Sequence, residues 1–235
     1  MAAGTFFMHA HPESHSRPGS GHLKKLLAER NQYNDRAPAI DAEIRRLYEQ
    51  RVSMLILDMC GFSRLTLSHG IIHFLAMVEQ MHQAAFPAIK DNGGRIVKTE
   101  ADNIFAVFAA PAQAVDAGTD IFRAFQAMNS VLPDERDLRG SIGIGYGDTL
   151  LIGGEDLFGC EMNLACKLGE DLAANAEILL TTAAYEALPE GKYVCEPVTF
   201  TVSGVVLPSH RFVRTMHPKV AAAPVASLTG GAGMA

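Results

Sequence analysis

A chain of 235 residues, 48% hydrophobic and 20% charged, holds enough apolar material for one well-cored domain with extensions. Its formal charge of −6 gives no overall field for nucleic acid or an anionic membrane, and neither is expected as a partner. The longest apolar runs fall far short of a membrane span.

Residues 1–20 are rich in His, Ser, Pro and Gly and read as a disordered tail. His9, His11, Glu13, His15 and Arg17 leave no apolar stretch for a secretory signal. Leu23, Leu26 and Leu27 start a first helix, which ends before Pro38. Ile40, Ile44, Leu47 and Tyr48 form the stripe of a second, so 21–50 is expected to be a helical extension. It could pack on the domain or on a second subunit. The main domain is expected over 51–216, and the Ala- and Gly-rich stretch 217–235 reads as a disordered tail. Cys60, Cys160, Cys166 and Cys195 show neither metal-ligand spacing nor a disulfide framework, which points to a reduced, cytoplasmic setting.

Within the domain the pattern predicts a strand over 52–58, then a helix from about 63 that Gly70 interrupts. A longer helix follows, which Pro87 is expected to kink or end. Asp91-Asn92-Gly93-Gly94 is a turn, and 95–108 a hairpin. A helix over 112–130 precedes a strand in which Ile142 and Ile144 alternate with glycines. Thr149 to Ile152 reads as a separate short strand, and 159–172 as a helix. A strand over 177–181, a short helix over 182–188 and two or three late strands complete the pattern. The class is α+β, a mostly antiparallel sheet with helices packed on one side.

Two acids stand out. The run Val52-Ser53-Met54-Leu55-Ile56-Leu57 ends on Asp58, and Asp102 opens the second strand of the hairpin. An ionised acid at the end of a buried strand is costly without a partner. Two of them beside a Gly-containing strand-to-helix turn point to a hard cation held next to a phosphate.

Three motifs, in this order, carry a resemblance. Leu57-Asp58-Met59-Cys60-Gly61-Phe62-Ser63 resembles the first metal motif of the class III nucleotidyl cyclases, and Lys98-Thr99-Glu100-Ala101-Asp102 resembles the second. Phe158-Gly159-Cys160-Glu161-Met162-Asn163-Leu164-Ala165-Cys166-Lys167 is similar to the family's helix-start motif, and Ser141 to Gly147 to the strand before it. Together they span about 51–214. The resemblance implies a ferredoxin-like βαββαβ core and a homodimer. It implies two magnesium or manganese ions per site on Asp58, Asp102 and the Met59 carbonyl. Amides of the Cys60–Ser63 turn, at Gly61, Phe62 and Ser63 among them, would bind phosphate. Lys98 and Asp156 match the adenine-recognising pair, so ATP is the favoured nucleotide substrate. Asn163 would orient the ribose, and Lys167 would stabilise charge on the attacked phosphate.

Three positions depart from the pattern. Lys167 stands where the family usually has Arg, and Lys lacks the planar fork. Ser203 stands where a phosphate-binding Lys is frequent, with Arg211, Arg214 or Lys24 as possible substitutes. Glu100-Ala101 replaces Ile/Val-Gly ahead of the second aspartate. An adenylate cyclase is the leading expectation. A cyclase for guanine or pyrimidine nucleotides, and a degenerate domain that binds nucleotide or proteins without turnover, stay open beside it.

Overall fold

A computed structural model describes residues 18–202 and 204–216. The expected tails at 1–17 and 217–235, and Ser203, lie outside the described residues.

Two helices lead, α1 (Ser20–Gln32) and α2 (Ala37–Tyr48), and Pro38 sits in the first turn of α2, where its missing N–H costs nothing. Strand β1 (Glu49–Met59) passes into α3 (Phe62–His69) and α4 (Ile71–Asp91). Helix α4 continues past Pro87 for one more turn, so it does not end there. The hairpin of β2 (Arg95–Glu100) and β3 (Asn103–Phe108) leads to α5 (Pro111–Asn129) and β4 (Gly140–Ile152). Strand β4 is one continuous element, not a strand followed by a separate arm. Then come β5 (Asp156–Phe158), α6 (Cys160–Cys166) and a π-helical turn, Lys167–Leu172. The chain ends in β6 (Ile178–Thr181), α7 (Thr182–Glu186) and two long strands, β7 (Tyr193–Val202) and β8 (Val205–Thr215).

The eight strands form one sheet in the order β2-β3-β1-β4-β6-β8-β7, with β5 paired to β4. Among the described strands only β4 and β6 run parallel. The first four strands stand as β2-β3-β1-β4, with helices after β1 and β3. That is the βαββαβ arrangement expected from the motifs.

Strand alternation splits β1 between two cores. Leu55, Leu57 and Met59 join Phe74, Met77, Met81, Ile121 and Phe125 of α4 and α5 on one face. Val52, Met54 and Ile56 join Phe105, Val107 and Ala165 on the other, beneath α6. Helices therefore cover both faces, contrary to the one-sided packing expected. The reason is visible in β4. Ile142 and Ile144 fill the α5 face, while the intervening glycines turn a bare backbone to α6. A Cβ at Gly143 would lie 1.9 Å from the carbonyl oxygen of Ala165, and one at Gly145 would lie 2.6 Å from that of Glu161. Only glycine lets the helix sit this close.

Leu23, Leu26, Ile40, Ile44 and Tyr48 pack with Leu150 and Ile152. The α1–α2 hairpin thus rests on the end of β4 in its own chain. Its first turn is tied down by Glu155, whose carboxylate accepts the Ser20 N–H at 3.2 Å.

Candidate active site

Asp58 ends the fully buried part of β1, cross-strand from Asn103 on β3 and Ser141 on β4. It shares the α6 face with Ile56 and Met54 two and four residues before it. Asp102 is reached through a two-residue turn, Ala101-Asp102, between β2 and β3. Ala101 adopts φ +51°, the left-handed region, at the position where glycine is favoured in tight hairpin turns. The departure from Gly therefore leaves the turn intact at a cost in backbone strain. Ala101→Gly should raise stability by roughly 1 kcal/mol, part of the relief being lost to the freer unfolded chain. Thermal unfolding should report a midpoint about 2–4 °C higher. An unchanged or lower midpoint would mean that the turn carries no strain.

Asp58 senses the charge of Asp102. Burial, together with the charges of Asp102, Glu170 and Asp171, pushes the Asp58 carboxyl up to about 7. Burial likewise raises Asp102. Glu170, on the π-helical turn, is raised by its own burial and by neighbouring acids, and its Oε1 accepts the Asn103 side-chain N–H at 3.3 Å. Asp58 thus sits in surplus negative potential, an environment that a hard divalent cation would relieve. Among the described residues no group of three or more His, Cys, Asp or Glu side chains is arranged to hold a metal by itself. Two carboxylates from the protein, with the remaining ligands from phosphate and water, is the way magnesium is usually held at nucleotide sites. The donor set fits that ion.

Beyond Asp58 the chain turns at Cys60 and Gly61 and enters α3 at Phe62. Gly61 has φ +97°, a conformation that glycine adopts freely. The Cys60 N–H already donates to the Arg139 carbonyl at 2.9 Å, so it is not available to a phosphate. Of the turn amides expected to receive phosphate, that of Cys60 is thus already used. Met59 is buried and stands in register with Gly140.

Lys98 owes its placement to a β-bulge. The pairing of β2 with β3 shifts between Ile96 and Lys98, so Val97 is an extra residue. Lys98 then pairs with Phe105 and shares its face, with the ammonium 4.7 Å from the ring centroid. Without the shift, alternation would have sent it to the α4 side. From there its ammonium reaches Asp156 Oδ1 and Glu100 Oε2, each at 3.0 Å. Burial alone would lower the Lys98 pKa, but the two carboxylates more than offset it, and the group is held charged. Asp156 is fixed in turn by the N–H of Leu157, which donates to its Oδ1 at 2.9 Å.

Asn163 and Lys167 lie four residues apart along one side of α6. Asn163 is exposed. The Lys167 ammonium rests on Asp171 Oδ2 at 2.6 Å. Asp171 also acts on Asp58, so within one chain Lys167 lies on the same side of the sheet as that aspartate. Of the cations considered as substitutes at Ser203, Arg211 is held by Glu177 and lies 4.0 Å from Glu196. Sequence reasoning missed Glu170 and the use of Glu100. The acidic pair Glu170-Asp171 was the available signal for the first, and the alternation of Lys98 with Glu100 for the second.

The described chain superposes on the guanylyl cyclase Cya2 with a TM-score of 0.63 and 17% identity, covering 73% of this chain and 96% of that one. The domain has the class III nucleotidyl cyclase fold. An adenylate/guanylate cyclase/hydrolase from Silicibacter pomeroyi aligns with a TM-score of 0.57 and 24% identity, over 70% of this chain and 95% of that structure. By sequence, an adenylate cyclase of Streptomyces coelicolor (strain ATCC BAA-471 / A3(2) / M145) is 30% identical over 142 residues, 60% of this chain. Those residues are 35% of the relative, so this chain spans about a third of its length. No protein-family model matches the chain. In this cyclase-fold domain Asp58 and Lys98, from the first two motifs, lie on the face of the sheet covered by α6, which carries most of the third. No helix among the described residues is long and apolar enough to cross a membrane.

Proposed function

We propose that the chain is an adenylate cyclase, converting ATP to 3′,5′-cyclic AMP and pyrophosphate at the interface of a homodimer. The observation that carries this reading is the ion pair of Lys98 with Asp156, two residues far apart in sequence held 3.0 Å apart. Their polarity suits adenine. The Lys98 ammonium donates to ring nitrogen N1, and Asp156 accepts from the 6-amino group. Against Lys98 and Asp156 alone, guanine in the place of adenine presents the reverse polarity and would leave both groups unpaired, at roughly 1–3 kcal/mol each.

Asp58 and Asp102 would hold two magnesium or manganese ions, with the Met59 carbonyl as a backbone ligand. Bound there, such ions activate the ribose 3′-hydroxyl and neutralise the departing pyrophosphate. The amides of Gly61, Phe62 and Ser63 receive phosphate oxygens at the opening of α3. Asn163 orients the ribose. Lys167 leaves Asp171 to meet charge on the attacked phosphate, which Lys does as a point charge without the bidentate geometry of Arg.

Cyclisation assays with each nucleoside triphosphate in manganese test the reading. Cyclic AMP formed fastest from ATP supports it. Nucleotide binding without product from any triphosphate would establish a non-catalytic nucleotide-binding domain instead.

The base assignment makes a further prediction. Lys98→Glu with Asp156→Cys reverses polarity at the first position and relaxes it at the second. The GTP-to-ATP ratio of kcat/KM should rise about a hundredfold. A ratio that does not move would remove both residues from the base site.

A further inference from the structure

The Lys98 ammonium does not face Asp156 alone. It bridges two carboxylates at the same distance, Asp156 on one side and Glu100 on the other, each at 3.0 Å. Glu100 lies two residues from Lys98 on one strand, cross-strand from Asn103, and its side chain is 68% exposed and open to a ligand. Lys98 therefore has a carboxylate acceptor beside it from each of two strands, Asp156 of β5 and Glu100 of β2.

We infer that Glu100 is a specificity-determining residue that lets this site take guanine as a second base, an inference that rests on the cyclase reading above. The chemistry lies in the two base edges. Adenine offers a donor, its 6-amino group, beside an acceptor, N1. That edge matches Asp156 with Lys98. Guanine offers an acceptor, O6, beside two donors, N1–H and the 2-amino group. That edge matches Lys98 with Glu100, whose two carboxylate oxygens can accept both donors. Lys98 is the shared central donor, and its three N–H groups let it keep one carboxylate while it serves the base. Each base uses Lys98 with one of its two carboxylate partners. A pair of Lys98 and Asp156 alone would leave the N1–H and 2-amino group of guanine without an acceptor. With Glu100 present they have one, so the penalty that would exclude GTP is removed.

The test compares Glu100→Gln with the unmodified full chain, measuring kcat/KM for ATP and GTP in manganese and the binding of both nucleotides. Glutamine keeps the size of the side chain but has only one acceptor oxygen and places an amide N–H₂ where a second acceptor was. The unmodified protein should discriminate between ATP and GTP by less than about tenfold. The substitution should raise the ATP-to-GTP ratio by at least about tenfold, because one guanine donor loses its partner. Glu100→Leu, which removes both oxygens, should raise the ratio further, and it serves if the first variant folds poorly. Loss of general structure would lower both substrates together and leave the ratio where it was. An unmodified protein that uses ATP but rejects GTP by more than about a hundredfold overturns this inference and leaves the adenylate cyclase reading standing. So does a ratio unchanged in both variants while their activity with ATP is retained. Failure of the unmodified protein to bind either nucleotide overturns the cyclase reading and this inference with it.

Discussion

Asp58→Asn should abolish turnover and yet make the metal-free protein harder to unfold. The first effect follows from the loss of a charged ligand to the divalent ions. Their stabilisation of transition-state charge amounts to several kcal/mol, so kcat should fall by about a thousandfold or more. The second follows from what the carboxylate endures without a cation. Burial and the charges of Asp102, Glu170 and Asp171 push Asp58 up to about 7 from its ordinary value near 3.8. Between those values the folded chain holds a proton that the unfolded chain releases. The metal-free protein is therefore at its best, as far as this group is concerned, below about pH 4. It loses that contribution as pH rises to about 7, with no further loss above. Asparagine carries no such slope. The variant should match the parent near pH 4 and exceed it at pH 8, by on the order of 1–2 kcal/mol. Manganese should raise the midpoint of the parent and leave that of the variant nearly unchanged. Thermal melts at three pH values, with and without the ion, read all of this. A folded Asp58→Asn protein that still turns over, or one less stable than the parent at pH 8, would remove Asp58 from the metal site.

Asp58→Ala and Asn163→Ala, each inactive alone, should recover activity when mixed. In a single chain Asn163 is exposed and Lys167 rests on Asp171. If the site is shared across a two-fold axis, the aspartates of one subunit meet Asn163 and Lys167 of the other. A mixed dimer then gathers both lesions into one site and leaves the second whole. With random pairing about half the dimers are mixed, each with one good site of two, so recovery should approach about a quarter of the parent activity. The assay needs a demonstration that subunits exchange, for example by pulling down an untagged copy with a tagged one. Exchange without recovery would place all the catalytic groups within a single chain. The same design extends to Lys98: paired with Asp58→Ala, a Lys98 variant should complement, although Lys98 and Asp102 flank one hairpin turn.

Much of this arrangement was legible in the sequence where a local pattern has one physical meaning. A buried apolar run closed by Asp58 must end a central strand. Gly93-Gly94, then Arg95 to Phe108, must turn back on itself. Both stand as expected, β1 at the centre of the sheet and β2–β3 at its edge. The misreadings come from residues whose meaning depends on what lies above them. Thr149 to Ile152 reads as a separate short strand because Gly145 and Gly147 ahead of it weaken a strand taken by itself. Both glycines lie within β4, which tolerates them because α6 presses on its bare backbone. The same contact accounts for the helix on the second face, which alternation in β1 alone does not reveal. Pro87 was expected to kink or end α4 near its C-terminus, where only a turn remained to be lost. The bulge that turns Lys98 to the site is set by pairing with β3 and has no mark in the residues of β2 themselves. The bond from the Cys60 amide to Arg139 depends on a loop some eighty residues away, beyond the reach of any local pattern.

The bare strand under α6 has a consequence for how this region opens. A helix of seven residues followed by a π-helical turn would scarcely hold together in water by itself. Here its backbone lies against that of Gly143, with Gly169 closing from the same side. No flexible side-chain layer separates the two elements that could absorb a small displacement. The helix cannot loosen by degrees while the strand stays put, so both should open as one cooperative unit. Amide hydrogen exchange should therefore show α6 protected nearly as long as central β4, and far longer than the more exposed α1, although α1 is almost twice its length. Exchange of α6 well ahead of β4 would show instead that the contact is loose.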